Sequence, residues 1–286
     1  MPELPEVESL ARFLREKATG RVISRVELAA FAALKTFDPP LDALVGRAVT
    51  GCGRRGKFLL VAADPLWLVL HLARGGWLRW SDQLVATRAK PSRGPLALRV
   101  GFENGAGFDV TEAGTEKRLA VYVVTSPDEL ENLSHLGPDP LDPAFTPARF
   151  AAALREHGGQ VKIALTTQSV VAGVGNAYSD EALHAARLSP FKNAARLDDD
   201  EAARLHAAVV DVLTDAVARS AGLPAAGLKS EKKSGLRVHG RTGQPCPECG
   251  DTIREVSFAT KSLQYCPTCQ TGGRPLADRR LSRLLK

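Results

Sequence analysis

Two Cys-x-x-Cys pairs, Cys246/Cys249 and Cys266/Cys269, stand sixteen residues apart near the end of the chain. Each pair brings two thiolates to one metal ion, and the stretch between them is long enough for a β-hairpin. Zinc favours four thiolates in a tetrahedron, and such a closed site leaves no coordinated water to activate. The spacing therefore predicts a zinc ribbon holding one structural Zn2+. Disulfides are the competing use, but they suit small secreted scaffolds rather than a 286-residue chain with no secretion signal. A redox pair is a second competitor, and Pro247 and Pro267 in equivalent slots favour metal. Lys261, Ser262 and Gln264 fall on the hairpin, placed to touch a phosphate or enter a groove. The fifth cysteine, Cys52, lies among apolar and glycine residues and reads as a small buried hydrophobe.

The rest of the chain divides by pattern. Val7, Leu10, Ala11 and Leu14 recur at helical spacing and predict an amphipathic helix over Val7–Ala18. Short β-like runs follow at Val22–Leu28, Lys57–Ala62, Trp67–Leu72, Leu96–Phe102 and Leu119–Val124. Strands so spaced predict a β-sandwich over 1–130. Leu136–Pro143 carries too many prolines for a helix or central strand, so 131–146 reads as a linker. Thr146 can cap a helix over Pro147–Glu156, and Leu205, Val209, Val212, Leu213 and Val217 form one apolar face after Asp198–Asp200. Between them lies a glycine turn, Gly173-Val174-Gly175-Asn176, then a helix over Ala177–Ala186. The glycine- and lysine-rich stretch after Ser220 reads as a loop. The whole is an α+β multidomain chain, with a helical domain over 147–228, the zinc module over 229–270 and a basic tail over 271–286.

Net charge is +6 and the pI is near 9.2. The basic residues cluster as Arg54, Arg55 and Lys57; as Lys229, Lys232, Lys233, Arg237, His239 and Arg241; and as Arg274, Arg279, Arg280 and Arg283. Three such groups predict a polyanion track. No apolar run is long enough to span a bilayer and no signal peptide is visible, so a cytoplasmic protein without a membrane partner is expected.

The chain opens Met1-Pro2-Glu3-Leu4-Pro5-Glu6. Removal of Met1 would expose the secondary amine of Pro2 beside a carboxylate, Glu3. Such an amine attacks a carbonyl-like carbon to give an iminium ion, an electron sink formed without first losing a proton. Proline's amine is more basic than an ordinary α-amino group, which titrates near roughly 8. Desolvation or nearby cations must lower its pKa before it can act. The hexapeptide by itself favours the plainer reading, in which Pro2 permits methionine removal and Pro5 starts a helix.

Taken together, these motifs resemble the formamidopyrimidine-DNA glycosylase / endonuclease VIII family of base-excision repair enzymes. The matching pieces are Pro2–Glu8, Gly56-Lys57-Phe58-Leu59-Leu60, His71-Leu72, the Gly173–Asn176 turn and the terminal zinc ribbon. The resemblance implies an N-terminal β-sandwich, a helical domain with a helix–two-turns–helix element and a zinc-finger hairpin. It implies damaged duplex DNA as partner, Zn2+ on the four cysteines, and a reaction for which a monomer suffices. Pro2 would attack C1′ of the damaged nucleotide, Glu3 would serve as the acid–base group, Glu6 would organise the site, and Lys57 would complete the catalytic set. Base release would be followed by β,δ-elimination at the sugar. Lys57, His71, Lys162, Gly175 and Asn176 match places that bind phosphates in the family. Singly, Lys57 reads equally as a solvated strand edge, His71 as a satisfied core histidine and Asn176 as a helix cap.

The departures fall where the family reads the base. Family members that excise 8-oxoguanine fill the gap left by the flipped base with a methionine after His-Leu, and with an arginine and a phenylalanine from an Asp-Pro-Arg-Arg-Phe-Gly loop. Here Arg74 stands near the methionine place, and the loop reads Thr115-Glu116-Lys117-Arg118-Leu119-Ala120. Arg74 is thereby a DNA-binding candidate, either stacking on bases or turning to a phosphate. Lys261 replaces the hairpin's usual arginine, keeping the charge and losing the bidentate fork. The resemblance thus implies glycosylase/lyase chemistry without assigning 8-oxoguanine as the substrate. Its rivals are a noncatalytic damaged-DNA-binding protein on the same scaffold, an N-terminal-proline tautomerase, which would be much shorter, and a zinc-ribbon RNA binder, which would not need Pro2.

Overall fold

A computed structural model of the chain describes residues 1–87, 94–257 and 262–277. They form two compact units: Met1–His135 with Ser220–Lys229, and 136–219 with the described residues from 230 onward.

The first unit begins with α1 (Leu4–Ala18), which starts three residues before the apolar periodicity does because Pro5 and a Glu6 side chain stabilise its first turn. Two four-stranded antiparallel sheets follow. One has the order β1 (Ile23–Leu28), β6 (Leu96–Phe102), β7 (Gly107–Glu112), β5 (Gly76–Ser81). The other runs β2 (Gly51–Arg55), β3 (Phe58–Ala63), β4 (Leu66–His71), β8 (Ala120–Val124). Leu59, Leu70 and Val121 from one sheet share a core with Leu78, Leu98 and Val110 from the other and with Val7, Leu10 and Leu14 of α1.

Three strands, β2, β5 and β7, lie outside the expected runs. Each opens on glycine and carries charge, which mutes a strand signal. The charge in β7 is paired across the sheet: Arg99 of β6 donates to both carboxylate oxygens of Asp109, at 2.7 and 2.9 Å.

The stretch after Ser220 is irregular up to Gly227, as its composition suggests, but it is packed. Ala225 and Leu228 are buried in the core of the first unit, and the Trp77 indole N–H donates to the Ala225 carbonyl at 2.9 Å. A helix, α7 (Leu228–Gly235), then forms. Its Glu231 accepts from Arg219 Nε at 2.6 Å, and a Cβ at Gly235 would meet that guanidinium at 2.4 Å.

A short helix of the first unit, α2 (Glu131–Ser134), precedes the second unit, in which Leu136–Pro143 forms neither helix nor strand. Thr146 caps α3 (Pro147–His157), its hydroxyl accepting from the Arg149 N–H. The helix α5 (Asn176–Ala185) packs against α4 (Val161–Thr166) and α6 (Asp199–Arg219). The chain then forms the hairpin β9 (Arg254–Ser257) and β10 (Ser262–Tyr265), and α8 (Pro267–Thr271). Among the described residues, no helix is long and apolar enough to cross a membrane.

Candidate active site and zinc centre

The N-terminal residues are folded inward. Pro2 is buried, and Glu3 and Glu6 are each 2% exposed, while Met1 is exposed. Glu6 reaches back one helical turn and accepts the Glu3 backbone N–H at 2.7 Å, fixing the residue that follows Pro2. With Met1 attached, the Pro2 nitrogen is an amide and has no nucleophilic lone pair.

Lys57 and His71 are brought together by strand register. Lys57 is 9% exposed, and its neighbour Phe58 pairs with His71 across β3 and β4, their rings 4.7 Å apart. Burial, and then the Lys57 charge, lower the His71 pKa from its ordinary 6.5 to about 4. His71 is therefore neutral at physiological pH, able to donate one hydrogen bond but not to supply a charge.

Arg74 sits exposed on the β4–β5 turn. That turn is tight. Ala73 adopts φ 48°, the Gly76 N–H bonds the Leu72 carbonyl at 2.8 Å, and a Cβ on Gly75 would strike the Ala113 carbonyl oxygen at 2.2 Å. The Ala113 N–H in turn donates to Gly75 at 3.1 Å, so the Arg74 turn and the loop after β7 lie side by side. The second loop is organised by Glu112, a 4% exposed carboxylate that sequence reasoning passed over. Its Oε1 accepts the N–H groups of Arg118 and Leu119 at 2.8 and 3.0 Å. Arg118 consequently points outward, whereas Leu119 is buried in the sandwich core.

In the second unit the glycine turn is held by Gln168, another residue the sequence did not single out. Its side chain accepts from Gly173 N–H at 3.0 Å and donates to the Val174 carbonyl at 2.8 Å. Gly175 is then the N-cap of α5, and Asn176 its first residue. The Asn176 amide donates to the Ser262 carbonyl of the zinc hairpin at 2.6 Å.

Lys162 was expected at a phosphate; the structure turns it inward. Its ammonium is surrounded by the Asn176 carbonyl at 2.7 Å, the Ser179 hydroxyl at 2.8 Å and Asp180 Oδ1 at 2.5 Å. An ammonium has three N–H bonds, and these acceptors occupy them. Asp180 Oδ2 also lies 2.7 Å from His239 Nδ1 and accepts from Gln264 N–H at 3.2 Å. Asp180, Glu181 and His184 form a polar, buried stripe on α5 whose partners are far away in sequence, so no local pattern announces it. Lys261 lies outside the described residues, as do Arg279, Arg280 and Arg283.

The four cysteine sulfurs lie within 4.8 Å of one another. Tetrahedral Zn–S bonds of about 2.3 Å put sulfurs a little under 4 Å apart, so the set fits zinc. Turn geometry explains the convergence: Gly250 at φ 77° lets the chain fold back so that its N–H bonds the Cys246 carbonyl at 2.9 Å. Cys246, Cys249, Cys266 and Cys269 are thus positioned to bind one zinc ion.

Comparison with known proteins agrees with this geometry. Residues 1–118 match the formamidopyrimidine-DNA glycosylase N-terminal domain, 136–225 its H2TH domain, and 243–272 a zinc finger found in FPG and IleRS. An uncharacterized formamidopyrimidine-DNA glycosylase-like protein of Mycobacterium tuberculosis is 60% identical over 53% of this chain and 94% of its own. The formamidopyrimidine-DNA glycosylase of Symbiobacterium thermophilum is 37% identical over 94% of this chain and 89% of its own. Among solved structures, wild-type Lactococcus lactis Fpg in complex with DNA containing N7-benzyl-Fapy-dG superposes with a TM-score of 0.83 at 28% identity, covering 94% of this chain and 100% of that one. The same protein's complex with abasic-site DNA gives 0.82 at 28% identity, covering 94% of this chain and 99% of that one. Sandwich, H2TH helices and zinc finger are matched in order along nearly the whole chain, which belongs to the formamidopyrimidine-DNA glycosylase family of DNA-repair glycosylases.

Proposed function

We propose that this glycosylase is also an AP lyase that works through the N-terminal amine of Pro2 on damaged duplex DNA. The observation that carries the reading is the buried start of the chain, where Pro2 precedes two buried carboxylates and Glu6 is spent on holding the Glu3 backbone. Burial disfavours the protonated amine and so favours the nucleophile. It also costs stability that a merely structural terminus would have no reason to give up.

Once Met1 is removed, the Pro2 nitrogen lone pair attacks C1′ and the bond to the damaged base breaks, the base leaving with the bonding electrons and a proton. Glu3 handles the proton transfers that open the sugar ring. The resulting iminium acidifies C2′–H; loss of that proton expels the 3′ phosphate, and a second elimination expels the 5′ phosphate. Water then releases the sugar fragment from Pro2. The target nucleotide must leave the stack, at a cost of a few kcal/mol that is smaller for a damaged base. Lys57 supplies the cation and neutral His71 a hydrogen bond at the flanking phosphates. Asn176, the first residue of α5, stands at a helix N-terminus, an end that favours a phosphate. Lys162 acts behind Asn176 by holding its carbonyl, and Arg74 and Arg118 meet the duplex where the base departs. A monomer suffices for these steps. Zinc holds the hairpin in shape and takes no part in the chemistry.

The test is borohydride trapping on an oligonucleotide with one abasic site. A covalent complex should form, and should vanish when Met1 is retained or Pro2 is replaced by glycine. Tight, salt-sensitive binding without any trapped complex would overturn the mechanism and leave a noncatalytic damage binder.

A further inference from the structure

A buried histidine touches the zinc cluster from outside it. His184, on the last turn of α5, is 3% exposed, and its Nε2 lies 3.3 Å from Cys246 Sγ. A zinc-bound cysteine is a thiolate and has no proton to give. In the loaded protein this contact is a hydrogen bond only if the imidazole supplies the proton from Nε2.

The same helix is fastened to the zinc module at further points. Glu181 accepts the N–H groups of Arg237, Val238 and His239 at 2.8, 3.0 and 2.8 Å. Gln270 donates to the Leu188 carbonyl, just past α5, at 3.0 Å and accepts the N–H of the ligand Cys266 at 2.9 Å. At the opposite end of the helix, Asn176 donates to Ser262 in the hairpin. One ten-residue helix therefore meets a metal ligand at its C-terminal end and carries Asn176 at its N-terminal end.

We propose that His184 is a positioning residue of the zinc centre: its Nε2–H donates to the Cys246 thiolate, and through α5 zinc loading orders the Asn176–Ser262 contact. The hydrogen bond draws charge from the sulfur, which stabilises the thiolate against protonation and metal loss.

The test uses the full chain. His184→Phe keeps an aromatic ring and removes the donor. In competition with a chromogenic chelator it should bind zinc about tenfold more weakly, the lower end of the effect of outer partners on metal affinity. With cobalt in place of zinc, its thiolate-to-metal charge-transfer band should move to lower energy, because the sulfur electrons are no longer held by a donor. His184→Gln, whose amide can donate, should move both readings back toward wild type. A purely space-filling histidine would leave the cobalt band in place, and an unshifted band with unchanged zinc affinity would overturn the proposal. Should the phenylalanine variant fail to fold, nitrogen NMR of the wild-type zinc protein decides: the proton belongs on Nε2, and a proton on Nδ1 alone overturns the assignment. Stripping zinc from the wild type should also speed amide exchange over 177–180; unchanged exchange there would refute the link along α5.

Discussion

Lys162→Met separates two roles for one lysine, holding DNA or holding α5. The Lys162 and Asp180 side chains are 8% and 1% exposed, and their ion pair spans 2.5 Å. Methionine preserves most of the length and packing while removing the charge and all three donors. Asp180 would keep His239 and the Gln264 N–H as neighbours but lose its buried cation. Breaking a buried pair from one side costs about 3–5 kcal/mol, and the surviving contacts place this case near 3 kcal/mol. That is roughly a hundredfold in the unfolding equilibrium. Urea unfolding of the zinc-loaded protein, followed by circular dichroism, measures it, and Asp180→Asn added to Lys162→Met should recover part of the loss. The second assay is the salt dependence of DNA binding at a temperature where both proteins are folded. A phosphate contact contributes about 0.9 to the slope of log affinity against log salt. An inward lysine leaves the slope unchanged. Wild-type stability combined with a slope smaller by about one would refute the internal role.

His71 predicts an acid limit. Its folded pKa of about 4 lies below the ordinary 6.5, so the unfolded chain binds the proton more readily. Its contribution to stability is fully present above pH 6.5 and is lost as pH falls toward 4, by as much as about 3 kcal/mol. The stability gap between wild type and His71→Phe should change across that window, and a constant gap would contradict the shift. Trp77→Phe removes the donor to a buried Ala225 carbonyl, a loss of about 1–3 kcal/mol. Amide exchange should rise selectively over 223–229, and no local rise would show that the indole does not hold the segment. Cys249→Ala should lose zinc by elemental analysis and weaken DNA binding; full zinc content would refute the four-cysteine site.

How much of this could be read in advance depended on whether the cause was local. Each Cys-x-x-Cys pair, the Thr146 cap and α1 are set by residues within a turn or two of one another, and the residues alone were enough. The strands β2, β5 and β7 were not legible because each is defined by its partner across the sheet: Trp77 pairs with Thr111, thirty-odd residues away, and Arg99 neutralises Asp109. The packing of Ser220–Lys229 is not legible because its only large apolar side chains besides Pro224 are Leu223 and Leu228, enough to join a core built by other residues but not to signal one. The inward contacts of Lys162 are hidden in the sequence for the same reason. A lysine near a glycine turn reads as a phosphate ligand until Asp180, eighteen positions on and one face over, is known to be buried beside it.

The gap-filling loop shows what that dependence means for lesion choice. Family members that take 8-oxoguanine present a phenylalanine where Leu119 stands, and the obvious experiment is to restore it. Leu119 is 2% exposed within the sandwich core, and Glu112 fixes both its N–H and that of Arg118. A phenylalanine placed there enters the core and not the duplex. Overpacking of this kind typically costs about 1–3 kcal/mol. Leu119→Phe should therefore lower the urea midpoint and gain no excision of 8-oxoguanine. Glu112→Ala, which frees the loop from its anchor, should instead loosen Arg118 and alter the relative rates on different lesions. A Leu119→Phe variant of undiminished stability that acquired 8-oxoguanine excision would mean that the loop, and not the core, dictates where residue 119 points. Among the described residues, Arg74 and Arg118 are both exposed on adjoining turns. Guanidinium planes stack on any base and hydrogen-bond at their edges, so Arg74→Ala and Arg118→Ala are the variants to compare on DNA with different opposite bases.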